Sequence, residues 1–104
     1  MNVQLKKGLI EVCILAVIAR EPSYGYKIIS DVSNIIELSE STLYPILRRL
    51  ESANQLKTFT RDYNGRLRKY YQITNEGKNR IKEFKYEWQE MEDIYDFIVK
   101  HGEN

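Results

Sequence analysis

The chain has 104 residues, enough for one domain with a modest hydrophobic core. Hydrophobic residues make up 42% of it and charged residues 30%, a balance that excludes a disordered chain. No apolar run approaches the roughly 18 residues of a membrane span, and the first residues lack the apolar core of a signal peptide. We therefore expect a cytoplasmic protein without a membrane partner. Its single cysteine, Cys13, cannot form an intrachain disulfide and is expected to be a small buried apolar residue.

The net charge of +1 hides an uneven distribution along the chain. Residues 1–74 carry 11 Lys/Arg against 7 Asp/Glu, whereas residues 75–104 carry 5 against 8. Residues 48–69 alone hold seven Lys/Arg and two Asp/Glu. A basic centre beside an acidic C-terminal region favours a polyanion as partner.

Two helices are predicted at the N-terminus. The first runs from about Val3 to Arg20, where Pro22 ends it because proline cannot continue the helical hydrogen bonds. Ser23 is expected to cap the second helix. Gly25 lowers the helix propensity there, and its presence predicts the close approach of another backbone.

Residues 39–53 have the pattern of a helix that is buried along one face. The apolar stripe consists of Leu43, Ile46, Leu47 and Leu50. The opposite face carries hydroxyl groups, a tyrosine and arginines, and such a surface suits the major groove of DNA. If Ser39 caps this helix, Pro45 lies in its interior and removes the bond to the Ser41 carbonyl. If Thr42 caps it, Pro45 lies in the first turn and no bond is lost, and the sequence leaves both alternatives open.

A β-hairpin is predicted next, with strands over residues 56–62 and 66–73. The joining Asn64-Gly65 pair is the strongest short signal for a two-residue hairpin turn. An isolated two-stranded hairpin is marginally stable, so its base must pack on the helices while its basic tip projects. Three helices followed by a basic hairpin are the order of a winged helix-turn-helix.

The last predicted helix begins after a cap at Thr74 or Asn75 and reaches about Val99. Its apolar residues recur with alternating spacings of three and four, the pattern of a coiled-coil seam. The seam residues, which we expect to form a dimer interface, are Ile81, Phe84, Trp88, Met91, Tyr95 and Ile98. A seam of this length buries poorly against one small domain, so a second copy of the chain is expected to cover it in a two-fold dimer.

Motifs in three separate elements resemble the PadR family of bacterial winged-helix regulators. These motifs are Tyr24-Gly25-Tyr26, Ser39-Glu40-Ser41-Thr42-Leu43-Tyr44-Pro45 with Arg48-Arg49-Leu50-Glu51, and Arg68-Lys69-Tyr70-Tyr71 followed by Thr74 and Gly77. The resemblance covers nearly the whole chain. The single last helix is similar to that of the family's short subfamily, which includes multidrug-sensing repressors. Ser41 departs from the pattern, because members usually have glycine there.

The resemblance implies a mainly α fold with a small β-hairpin: a winged helix-turn-helix over residues 1–74 and a long C-terminal dimerisation helix over residues 75–104. It implies a homodimeric transcriptional repressor that binds a pseudo-palindromic operator in double-stranded DNA and leaves it when an effector binds. The expected DNA contacts are Tyr26, Ser39, Ser41, Thr42, Tyr44, Arg48, Arg49, Arg66, Arg68 and Lys69. Arg48 is expected to contact a base or a phosphate, and Arg66 and Arg68 are expected to contact phosphates.

Trp88 lies in the middle of the seam, where a two-fold axis brings two copies near each other. In drug-sensing relatives, a tryptophan at the matching position stacks on planar compounds. The resemblance therefore implies an effector site at Trp88, Met91 and Glu92, with the carboxylate attracting a cationic aromatic molecule. The alternative, that Trp88 only packs the dimer, stays open.

The sequence does not predict an enzyme, a metal site or a cofactor. His101 is the only histidine, no cluster has metal-ligand spacing, and no glycine-rich phosphate loop follows a strand. The competing hypothesis is a winged-helix module that docks a protein and does not bind DNA. Such a module should expose Leu, Met or Phe on the outer face of residues 42–52, where this sequence has arginine.

Overall fold

The computed structural model describes residues 1–102 as four helices and one two-stranded antiparallel sheet. In chain order the elements are α1 (Val3–Arg20), α2 (Gly25–Val32), α3 (Glu40–Ser52), β1 (Leu56–Tyr63), β2 (Arg66–Ile73) and α4 (Asn75–Gly102). This arrangement confirms the predicted fold class. The last helix runs three residues beyond the predicted end, and residues 103–104 of the predicted C-terminal region lie outside the described residues. None of the four helices has the length and hydropathy needed to cross a bilayer.

Helix α1 is the central element of the hydrophobic core. Asn2 caps its start, because its Oδ1 atom accepts hydrogen bonds from the backbone N–H groups of Gln4 (2.8 Å) and Leu5 (3.2 Å). The helix contacts α2, β2 and α4, so it is buried on more than one side. Its fully buried side chains are Ile14, Leu15 and Ile18. Cys13 is half-buried against this core, and desolvation raises the pKa of its thiol, which stays protonated at neutral pH.

The turn between α1 and α2 differs from the prediction. Ser23 does not cap α2, because its backbone pairs with that of Tyr71 in β2, with N···O distances of 3.0 and 2.7 Å. Helix α2 instead begins after Tyr24, without a side-chain cap. The bridge links the α1–α2 turn to the hairpin. The prediction was wrong because a pairing partner 48 residues away decides the conformation of this segment.

Helix α3 lies on the core through Leu43, Ile46, Leu47 and Leu50, each at most 2% exposed. Of the two alternative starts, the structure has Ser39 as the cap, since its Oγ atom accepts a hydrogen bond from the Thr42 N–H. Pro45 therefore lies inside the helix and leaves the Ser41 carbonyl without a helical partner. The opposite, polar face of α3 points away from the core.

The hairpin has the register that the Asn-Gly turn requires. Tyr63 pairs with Arg66, and both Asn64 (φ 51°) and Gly65 (φ 81°) have the positive φ of the two central residues in a type I′ turn. The base packs on the core through Leu56 and Tyr71. The tip extends beyond the core, and Leu67 there is 77% exposed.

Helix α4 starts at a tight junction with the end of α3. The Thr74 hydroxyl donates to the Asn54 carbonyl (2.7 Å) and accepts from the Gly77 N–H (3.1 Å). A Cβ atom at Gly77 would lie 2.4 Å from the backbone oxygen of Gln55, so only glycine fits without a shift of the backbone. The 28 residues of α4 extend about 42 Å. The described part of the chain measures 64 by 26 by 21 Å and is elongated because the last part of α4 projects from the domain.

Candidate nucleic-acid interface

Three hydroxyl groups cluster at the exposed start of α3. The Ser39 Oγ atom lies 3.0 Å from the Ser41 Oγ and 3.1 Å from the Thr42 Oγ1. All three residues are exposed, and each was predicted to contact DNA. Hydroxyl groups beside the free N–H groups of a helix start can bind phosphate oxygens, so the structure gives this end of α3 the right chemistry for a DNA backbone.

Tyr44 packs against the start of α2 and is also partly exposed to solvent. Its ring lies over Gly25 at the start of α2, where an added Cβ would stand 2.3 Å from the Tyr44 hydroxyl. The predicted close approach at Gly25 therefore exists, but it involves a side chain and not a backbone. Tyr44 remains 39% exposed, and Tyr26 on α2 is 77% exposed. The two tyrosines thus keep surface that is free to contact a ligand.

The two adjacent arginines of α3 have different surroundings. Arg49 forms an ion pair with Glu11 of α1, which compensates part of its charge within the protein. Arg48 is exposed on the outward face, and its charge opposes the rise in the pKa of the Tyr71 phenol. That rise comes from burial, with smaller contributions from Tyr44 and Glu51, so the phenol stays neutral at physiological pH.

Arg68 is held between two aromatic rings. Its guanidinium carbon lies 3.9 Å from the centre of the Tyr24 ring and 3.6 Å from that of Tyr63. Tyr24 precedes α2 and Tyr63 ends β1, so the stack joins the hairpin to the helices. Sequence reasoning missed both partners. The hairpin register places Tyr63 diagonally opposite Arg68, so the predicted hairpin could have indicated this contact. No local sequence signal indicates the contact with Tyr24.

The aromatic stack continues toward the base of the hairpin. Tyr24 meets Tyr70 edge to face at 5.6 Å, and Tyr70 stacks on Phe59 at 5.4 Å. Arg61, absent from the predicted set, lies 5.2 Å from the Tyr70 ring and 5.4 Å from the Phe59 ring. The hairpin therefore has one face of stacked rings and guanidinium groups, which stiffens it.

The remaining predicted cations of the hairpin are more exposed. Arg66 is exposed beside the turn, and the ammonium group of Lys69 lies 5.4 Å from the Tyr71 ring. By the register of the strands, Arg66 lies on the same face of the hairpin as Arg61, whereas Lys69 lies on the opposite face with Tyr71. Within residues 1–102, no group of His, Cys, Asp or Glu side chains has the arrangement of a metal site.

The predicted seam of α4 divides into two parts. Ile81 packs against the domain's own core, and Phe84 is half-buried with its ring 6.3 Å from that of Trp88. The other four seam residues are exposed: Trp88, Met91, Tyr95 and Ile98. Ile94 and Phe97 beside them are also exposed. The projecting half of α4 is therefore an apolar surface that no other part of residues 1–102 covers, and Glu92 is exposed along it.

Substitution of Arg68 by lysine tests the stack. Arg68→Lys keeps the positive charge but removes the planar group that fits between two rings. We expect the midpoint of urea unfolding to fall and the amides of β1 and β2 to exchange hydrogen faster, because the contacts with both rings weaken. Arg66→Lys on the same strand is the control, since no ring contact to Arg66 occurs in the described part of the chain. Equal effects of the two substitutions would contradict a structural role for Arg68.

Comparison with known proteins identifies the family of the chain. The profile described as "Transcriptional regulator PadR-like family" matches residues 14–83. The chain is similar to a protein of known structure from Streptococcus mutans UA159, with 41% identity, coverage of 91% of this chain and 90% of that one, and a TM-score of 0.79. It is also similar to a PadR-like transcription factor from Bacteroides fragilis, with 32% identity, coverage of 91% and 94%, and a TM-score of 0.81. The matched family consists of transcriptional regulators and not enzymes. The chain therefore belongs to the PadR-like family of transcriptional regulators.

Proposed function

We propose that the protein is a sequence-specific, DNA-binding transcriptional repressor that inserts α3 into the major groove. The observation that carries this proposal is the outward face of α3, where Ser41, Tyr44 and Arg48 are exposed opposite a fully buried apolar stripe. Such a face supplies hydrogen-bond donors and positive charge to base edges and phosphates. A regulator of this kind acts in the cytoplasm, where bacterial operators lie.

The exposed surface of α3 favours DNA over a protein partner. A docking module needs an exposed apolar centre, which protein interfaces bury on association. Tyr44 is the one large apolar or aromatic residue exposed on α3, and at 39% it is only marginally so. The cationic hairpin lies beside this helix. We therefore prefer DNA binding to the docking hypothesis.

Some of the proposed DNA contacts of α3 would contribute affinity, and others would read the base sequence. The hydroxyls of Ser39, Ser41 and Thr42 are suited to phosphate, while Arg48 has the reach for a base edge or a phosphate. Arg49 makes a weaker contribution, because Glu11 already compensates its charge.

In the hairpin, we assign phosphate contacts to Arg66 and Lys69 and a positioning role to Arg68. Arg66 is exposed beside the turn, whereas the two faces of the Arg68 guanidinium are covered by Tyr24 and Tyr63. The edge of that guanidinium can still approach a phosphate. The larger effect of Arg68 is to fix the angle at which the hairpin leaves the helices, and hence where Arg66 meets the backbone.

Removal of Arg66 tests the DNA contact. Binding is measured over a range of salt concentrations on a duplex from the intergenic DNA beside the protein's own gene and on an unrelated duplex. Arg66→Ala should weaken binding to both duplexes. It should also lower the salt slope by about 0.9 for each phosphate that the variant no longer neutralises, because fewer counterions are released.

Lys82→Ala is the matched control for Arg66→Ala, since it removes one exposed cation from α4, an element to which no DNA contact is assigned. It should leave the salt slope unchanged. A loss of binding that is confined to one of the two duplexes would contradict the assignment of Arg66 to phosphate.

We further propose that α4 pairs with α4 of a second copy. Trp88, Tyr95 and Ile98 are 49%, 64% and 58% exposed, although they follow the heptad spacing of a coiled coil. Soluble monomers rarely leave a contiguous apolar surface of this kind in water. A heptad stripe is complementary to itself across a two-fold axis, so a second copy of the chain is the partner that fits it.

Two Tyr→Glu substitutions on the same helix test the dimer. Tyr95 lies on the seam, whereas Tyr86 is 76% exposed and lies roughly opposite the seam. Tyr95→Glu would place two charges in the apolar interface and should convert the dimer into a monomer in analytical ultracentrifugation. Tyr86→Glu should leave the dimer intact. A monomeric wild-type protein, or equal effects of the two substitutions, would contradict the proposed pairing.

The effector proposal rests on the exposed aromatic surface around Trp88. The rings of Phe84 and Trp88 are neighbours, Met91 lies one turn further, and Glu92 adds a carboxylate. This combination favours a flat, cationic aromatic molecule, which would stack on the indole and pair with the carboxylate. Binding near the two-fold axis would alter the spacing of the two α3 helices and so release the operator.

Trp88 is the only tryptophan, so its fluorescence reports directly on this surface. Titration of the DNA-free dimer with planar cationic aromatic dyes should quench the fluorescence, and the same dyes should weaken operator binding. Glu92→Gln should reduce the affinity for cationic dyes and leave that for neutral analogues unchanged. If no dye in the panel quenched Trp88, the interpretation in which the indole only packs the dimer would replace the effector site.

A further inference from the structure

The first turns of α1 and the first half of α3 enclose an open cleft of about 710 Å³. Four residues of α1 line it, and their spacing places them on a single face of that helix. These residues are Val3, Lys6, Lys7 and Ile10. On the α3 side, the lining includes the Ser39, Ser41 and Thr42 hydroxyls. The cleft therefore combines two lysines with the hydroxyl cluster already assigned to the DNA face.

The two lysines are the cations of this cleft that are available to a ligand. Arg49 also lines it but is paired with Glu11. Glu37 is the single carboxylate among the lining residues, so one negative charge faces two ammonium groups. Ile10 and Ile46 form part of an apolar floor along which the lysine stems can lie with their ammonium groups directed outward.

The position of the cleft along α3, like its charge, suits a contact with the DNA backbone. The hairpin follows the C-terminal end of α3, whereas the cleft adjoins its N-terminal half. A helix in the major groove lies between two phosphate backbones, because the groove is only about 12 Å wide. The hairpin supplies cations at one end of α3. A second set of cations at the other end would hold the helix in register.

We infer that Lys6 and Lys7 are DNA-backbone contacts that bracket α3 on the side away from the hairpin. A phosphate seated at the mouth of the cleft would meet their ammonium groups and the hydroxyls of Ser41 and Thr42. The Asn2 cap supports this role, since it keeps α1 helical from Val3 and so holds the lysines over α3. The inference rests on the proposed DNA binding and adds a contact that the sequence patterns did not indicate.

The test compares salt slopes of operator binding for two double variants of the full-length protein. Lys6→Ala with Lys7→Ala should lower the magnitude of the slope by up to about 1.8 per protomer, since each phosphate contact contributes about 0.9. Lys78→Ala with Lys82→Ala removes the same charge from exposed positions of α4 and should leave the slope unchanged. Lys6→Arg with Lys7→Arg should retain it.

Ethylation interference on the same duplex provides a second measurement that does not depend on affinity. Ethylation of the phosphates flanking α3 on the side away from the hairpin should impair binding by the wild type and not by the Lys6→Ala, Lys7→Ala variant. If the slope and the interference pattern of this variant equal those of the α4 control, the inference is overturned and the proposed function stands. If the wild type shows no salt-dependent binding to DNA, the proposed function itself fails.

Discussion

The burial of one face of α3 is the constraint on which the rest of the structure depends. Leu43, Ile46, Leu47 and Leu50 are almost completely excluded from solvent, and burial of each such side chain contributes about 1.5–3 kcal/mol. No rotation of the helix can expose these residues without that loss. The polar face is therefore fixed outward. Every proposed DNA contact on α3 follows from this one orientation.

The orientation of the hairpin depends on aromatic contacts, as the orientation of α3 depends on burial. Two strands alone are marginal in water, and only the base of this hairpin reaches the core. Further support includes the Ser23–Tyr71 backbone bridge and Arg68 stacked between Tyr24 and Tyr63. Both connect the hairpin to the segment between α1 and α2. The same contacts thus stabilise the fold and orient the cations of the hairpin.

Local sequence signals predicted the elements of the fold. Where the structure differs from the prediction, contacts between residues distant in sequence explain the difference. Helical periodicity indicated the stripe of α3, and Asn64-Gly65 indicated the hairpin with its register. The ion pair of Arg49 and the bridge at Ser23 join residues distant in sequence, so no pattern within one element indicates them. For the site, the sequence indicated residue types and faces. It did not distinguish the exposed Arg48 from the paired Arg49.

We propose that two α3 helices, held apart by paired α4 helices, read two half-sites of one operator. Hydroxyl-radical footprinting of the full-length protein on the intergenic duplex tests this most directly. If the two α3 helices are paired in this way, two regions on one face of the DNA are protected, with centres about one helical turn, roughly 34–36 Å, or a multiple of it apart. A single protected region, or a spacing that is not a whole number of turns, would contradict the paired arrangement.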